Sequence, residues 1–204
     1  MKSPLSLPRS PARIRPHGAL HAAALGLAFA LVLAAPAVAQ PALDDGDSLL
    51  ARRVKAAFLY KFLAYVEWPP QVFADSASPL VIGVLGPDPV VAEVAEVVGE
   101  RLAHGRPVLV RRLRDLDAVA GAHVVYVTRS EAARTPQVAA ITRDKGTLVV
   151  TEAEGGLAQG SVINFRLVDG RVRFDVALPA AERAGLRISS RLLAIAHSVL
   201  TSPS

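Results

Sequence analysis

The sequence predicts an α/β fold: a three-layer α/β/α sandwich with a mainly parallel sheet and a C-terminal β-hairpin. Three observations carry this. Short apolar runs rich in β-branched residues alternate with helical stretches from about residue 80 to residue 150, the rhythm of βα units. The runs are continuous rather than alternating, as in strands covered on both faces. Later, Val168-Asp169-Gly170-Arg171 sets an Asp-Gly turn between two alternating runs, a hairpin signal.

The elements follow in order. Lys2, Arg9, Arg13 and Arg15 precede an uncharged stretch from Gly18 to Ala35, which Pro36 breaks before Ala37-Val38-Ala39. A basic segment, an apolar core and a small-residue site make residues 1–39 a Sec signal peptide, cleaved after Ala39. An uncleaved anchor is the other reading, since about 18 apolar residues just span a bilayer. Residues 40–47 are a short polar leader, and residues 48–204 form one domain. Asp47 or Ser48 caps a helix reaching about Glu67 and stopping before Pro69-Pro70.

Strands are expected at Leu80–Leu85, Pro107–Val110, His123–Val127, Thr147–Val150, Val162–Val168 and Val172–Val176, with helices at Pro89–Ala103, Leu113–Ala120 and Ser130–Arg143. A two-residue loop at Asp169-Gly170 pairs Leu167 with Val172, Phe165 with Phe174 and Ile163 with Val176 on an apolar face. The other face pairs Arg166 with Arg173 and Asn164 with Asp175. Pro179 opens a short helix that Gly185 ends. Ser189 or Ser190 caps a closing helix with Leu192, Ala196 and Val199 on one side.

Export changes the charge arithmetic. The chain has 23 Lys plus Arg against 18 Asp plus Glu, formally +5. Residues 1–39 hold four of the basic residues and no acid, leaving 19 against 18 in the exported part. A near-neutral domain lacks the electrostatic footprint of a nucleic-acid partner. After cleavage no second long apolar run remains, so no membrane insertion is expected. The chain has no cysteine. Disulfides, thiolate metal sites and a Cys nucleophile are excluded, as is a lipid anchor on an N-terminal Cys.

No catalytic or metal constellation emerges, and no cofactor is implied. His104, His123 and His197 lie at no metal-ligand spacing. There is no G-x-S-x-G, and Ser189-Ser190 reads as a helix cap. Gly83 with Gly86, and Gly155-Gly156 with Gly160, lack the remainder of a phosphate loop and read as turns.

Two features stand out. The opening helix carries apolar residues all round. Six of the ten aromatics (Phe58, Tyr60, Phe62, Tyr65, Trp68 and Phe73) lie on or just beyond it. Such a helix is either wholly core or also meets a second surface. On the hairpin, Arg166 opposite Arg173 repels unless an acid such as Asp175 intervenes; otherwise the pair holds an anion.

Several segments together resemble one family. Lys55-Ala-Ala-Phe-Leu-Tyr60 and Val66-Glu67-Trp68-Pro69 are followed by Val81-Ile82-Gly83-Val84-Leu85-Gly86, Gly105-Arg106-Pro107-Val108 and Ile163-Asn164-Phe165. Arg173-Phe174-Asp175-Val176 and the stretch from Gly185 to Leu193 complete the set. In this order they resemble the YfiR family of periplasmic proteins. The resemblance implies an α/β sandwich without catalytic activity. It implies a regulator that binds the periplasmic sensor domain of an inner-membrane diguanylate cyclase or related sensor protein, lowering cyclic di-GMP and biofilm formation. Homodimers occur in the family. The chain departs from the pattern in lacking cysteine, and in carrying Lys61 and Ala177 where Asn is usual.

Candidate partner-binding residues are therefore Phe58, Tyr60, Lys61, Tyr65, Glu67 and Trp68, with the tyrosines and the tryptophan as anchors. Candidate ligand residues are Arg166, Arg173 and Asn164, in an alternative reading as a periplasmic small-anion module feeding a receptor or kinase.

Overall fold

The computed structural model describes residues 48–202; the signal peptide and leader read from residues 1–47 lie outside them. Helix α1 (Leu49–Tyr65) opens at Ser48, whose hydroxyl oxygen accepts from the Ala51 N–H at 3.1 Å. It gives way to a two-residue strand, β1 (Val66–Glu67). Then follow β2 (Leu80–Leu85), α2 (Asp88–Val98), β3 (Leu102–Ala103), β4 (Arg106–Arg112), β5 (Val124–Val127), α3 (Thr135–Thr142) and β6 (Leu148–Thr151). The chain ends through β7 (Ile163–Val168), β8 (Arg171–Ala177), α4 (Leu178–Arg183), β9 (Arg187–Ile188), α5 (Ser190–Ile195) and β10 (Ser198–Leu200).

Eight strands form one sheet in the order β10-β8-β7-β6-β5-β2-β4-β3. The five strands from β7 to β4 are parallel. Strand β3 runs antiparallel to β4 and β8 antiparallel to β7, while β10 lies parallel to β8. The hairpin keeps the expected register, with Phe165 opposite Phe174 and Arg166 opposite Arg173. Separately, β1 and β9 form an antiparallel ribbon, Val66 opposite Ile188 and Glu67 opposite Arg187.

Two cores flank the sheet, as a three-layer sandwich requires. On one face, Leu59, Phe62 and Leu63 of α1 and Val90, Val94 and Val98 of α2 pack on Leu80, Ile82 and Val84 of β2 and their neighbours. Phe62 anchors this side, with its ring 5.1 Å from Phe174 and 5.7 Å from Phe165. On the other face, Val138 of α3 meets Leu85, Val125, Val127 and Val149.

Four expectations are corrected. The helix expected to Ala103 ends at Val98, because Gly99 takes φ +53°, a conformation glycine tolerates. The chain then turns through Leu102–Ala103 into a β3–β4 hairpin, with His104 and Gly105 both at positive φ as its two-residue turn. The Leu113–Ala120 stretch holds only a 3-10 turn at Asp117–Val119: β4 runs to Arg112 and Leu113 continues its pairing with β2, its N–H donating to the Val84 carbonyl at 2.8 Å, so the chain is still extended where the helix was expected to begin. Residues 129–134 form a 3-10 segment before α3 begins at Thr135. Finally, α5 stops at Ile195, and Val199 belongs to β10, where Ser198–Leu200 pairs with Asp175–Ala177.

Candidate partner-binding surface

The end of α1 builds the surface. Beyond Tyr65 the backbone extends, and the Tyr65 carbonyl accepts from the Ser189 N–H at 2.9 Å, tying the helix end to β9 and α5. The Pro69-Pro70 pair turns the chain into a short 3-10 segment, Pro70–Val72. Trp68 is held between these, half-buried, with its indole N–H donating to the His123 carbonyl at 3.3 Å. Its ring meets His104 edge-on at 6.4 Å.

Phe73 stacks on the His123 ring at 4.8 Å and 14°, and the Arg106 guanidinium sits 3.9 Å above the Phe73 ring centre. Arg106 is fixed there by donating to the carbonyls of Asp75 and Ser78, at 2.7 and 2.8 Å. His104 Nε2 lies 2.6 Å from the Leu63 carbonyl and donates to it. Glu67, Trp68, Pro70, Phe73, His104 and Arg106 together line an open concavity of about 410 Å³. Trp68 and Phe73 offer large apolar area, while Arg106 and Glu67 give it charge of both signs. A centre of this composition suits a protein contact, because aromatic and Arg side chains anchor interfaces.

Burial pushes the His123 imidazole below its usual pKa, and the charges of Arg106 and Arg111 push it the same way, against a hydrogen bond to the Val72 backbone. The ring is therefore neutral near pH 7. Its Nδ1 accepts from the Val81 N–H at 3.1 Å, which a doubly protonated ring could not do. Asp75 is held below the usual carboxylate range by the Ser78 hydroxyl first, then by the Ala77 and Ser78 amides.

The expected partner residues divide. Glu67 and Trp68 share the concavity, and Glu67 also accepts from Arg187 Nε at 3.0 Å. Tyr60 lies along α1 beside β3, its hydroxyl donating to the Leu102 carbonyl at 2.9 Å and its ring beneath Arg101 at 5.3 Å. Phe58 belongs to the interior aromatic cluster, 5.3 Å from Phe174. Lys61 is exposed, with its ammonium 6.0 Å from the Phe58 ring. Tyr65 is partly buried against the main core. Sequence reasoning missed Phe73, His104 and Arg106 as parts of one surface. The Gly105-Arg106-Pro107 run was the available signal, but three separate loops have to meet before it means anything.

The candidate ligand residues divide too. Asn164 is buried and accepts from the Thr151 hydroxyl at 2.7 Å. Arg166 donates to Asp175 at 3.1 Å, the local pairing that competes with an anion. Arg173, though opposite Arg166, lines a different cavity with Ala196 and His197.

The fold and this site define a class: a doubly wound α/β domain whose most built feature is an aromatic-lined concavity around Trp68. The chain belongs to the YfiR/HmsC-like family, whose model matches residues 52–197. That is a family of periplasmic, non-catalytic regulators of diguanylate cyclases, and no helix among the described residues is long and apolar enough to cross a membrane. No curated protein matches the chain. Among solved structures, a conserved domain protein from Vibrio cholerae O1 biovar El Tor is similar in fold, at 14% identity and TM-score 0.50, over 72% of this chain and 60% of that one. An ABC domain from Streptococcus pneumonia in complex with L-Trp aligns at 12% identity and TM-score 0.49, over 73% and 60%. The chain thus spans about 60% of the length of both structures.

Proposed function

We propose that this protein is a non-enzymatic periplasmic regulator. It binds the periplasmic sensor domain of an inner-membrane diguanylate cyclase and represses it, lowering cyclic di-GMP and biofilm formation. In this reading residues 1–39 direct export through Sec and are removed, and the single domain that remains does the binding. The family supports the regulatory role. The observation that carries the binding surface is the concavity around Trp68, where Phe73, His104 and Arg106 converge on the residues that end α1.

Repression is the binding energy that favours the cyclase's inactive conformation, so it scales with differential affinity for that state. The cellular test follows from this. Deleting the gene raises cyclic di-GMP and surface-attached growth, and the wild-type gene restores both. The Trp68→Ala gene, expressed to the same level, does not restore them. Unchanged cyclic di-GMP in the deletion strain would overturn the reading.

A further inference from the structure

The polar face of the β7–β8 hairpin is roofed by the loop after β6, and between them lies an open cavity of about 440 Å³. That volume is within the range of small-molecule sites. Its polar wall is Glu152, Glu154, Asn164, Arg166 and Asp175, and Leu157 and Leu200 add apolar area. Three carboxylates thus face one guanidinium. Lys55 offsets Glu152 from behind, and an acid remains in excess.

Asp175 is the residue the fold leaves incomplete. Its side chain is only 10% exposed, and one oxygen, Oδ2, accepts from Arg166. The other, Oδ1, is sealed from solvent and has no hydrogen-bond partner. A buried carboxylate oxygen without a donor is destabilising, and native structures rarely leave one. Arg166 is the movable side of this wall, since it is half exposed and holds Asp175 by a single bond. No group of three His, Cys, Asp or Glu among the described residues is placed to hold a metal ion, so the acids here do not form a metal-ligand set.

We propose that this cavity binds a protonated primary amine with a short apolar tail. The ammonium donates to Asp175 Oδ1 as Arg166 shifts aside, and the tail lies against Leu157 and Leu200. This reverses the charge that Arg166 and Arg173 suggest from sequence alone. Arg173 faces another cavity, and Arg166 acts as a placeholder cation rather than an anion receptor. The site is independent of the Trp68 surface, so either can fail while the other stands.

The test is a titration of the exported protein with n-hexylamine and with hexanoate, followed by backbone-amide NMR shifts. Hexylamine gives saturable shifts at Gly156, Asn164 and Arg166, and hexanoate gives none. Asp175→Asn weakens the amine by roughly tenfold or more, as expected for loss of a hydrogen bond to a charged group. Arg166→Ala leaves amine binding intact or tighter. Glu154→Lys, at an exposed position that does not burden folding, also weakens it. If Asp175→Asn does not fold, Glu154→Lys decides. Absence of a saturable hexylamine response overturns the proposal. So does hexanoate binding that Arg166→Ala abolishes, or amine binding that neither acidic variant affects.

Discussion

The ammonium of Lys55 and the carboxylate of Glu152 meet inside the molecule, with side chains 7% and 6% exposed. They join the first half of α1 to the residue that follows β6. Glu152 also accepts from the Arg129 N–H at 2.8 Å, so the carboxylate fastens a third segment. Removing one member of a buried pair leaves the other charge uncompensated, which is far more costly than replacing both. Lys55→Met therefore lowers the free energy of unfolding by about 3 kcal/mol, and adding Glu152→Gln recovers part of the loss. Urea titrations of the single and double variants read both effects.

Phe62 is fully buried, with Phe58, Phe165 and Phe174 around it. Phe62→Ala costs about 3–5 kcal/mol, the transfer loss plus the cavity left behind. The same assay measures it. A loss below about 1 kcal/mol would show that the cluster is not the packing centre of this face.

Gly146 holds φ +64°, and a Cβ there would stand 2.6 Å from Val72 Cγ1 and 3.4 Å from Pro69 Cγ. Gly146→Ala combines backbone strain with overpacking and destabilises by about 1–3 kcal/mol. Because Pro69 directly follows Trp68 in the chain, the variant also changes indole fluorescence in the folded state. A surface glycine such as Gly155, with nothing near its Cβ position, serves as the comparison.

Much of the fold was legible in the sequence because local signals agreed with the tertiary outcome. The Asp169-Gly170 turn set the hairpin register, and continuous Val-rich runs marked the central strands. Local reasoning failed where two or three residues form a strand. Leu192, Ala196 and Val199 have helical spacing, yet pairing with β8 takes Val199 into β10. The candidate surface was half legible. Trp68 and Glu67 follow from aromatic crowding at a helix end, whereas Phe73, His104 and Arg106 acquire meaning only when their loops meet. The Arg166–Arg173 face misled in the opposite way. Register put the two arginines opposite each other, but Arg166 pairs with Asp175 and Arg173 lines a different cavity.

His123 gives the protein a pH-sensitive joint under the Trp68 surface. Its folded pKa lies below the unfolded value of about 6.5, chiefly because of burial. Its contribution to stability is therefore present above about pH 6.5 and is lost as pH falls through the lower folded value. The difference in stability between wild type and His123→Gln shrinks over that acid window and is constant above it. Thermal unfolding at a series of pH values checks this; a difference that grows with acidity has the wrong sign.

In the proposed function the Trp68 surface makes the contact with a cyclase. Isothermal titration of the exported protein against a purified periplasmic sensor domain of a diguanylate cyclase from the same cell tests it directly. Wild type binds, and Trp68→Ala and Arg106→Ala, both folded by circular dichroism, bind at least about tenfold more weakly, as expected of hot-spot residues. An exposed substitution away from the surface, Arg143→Ala, changes nothing. Wild-type affinity in both folded variants would rule out the Trp68 surface as the contact.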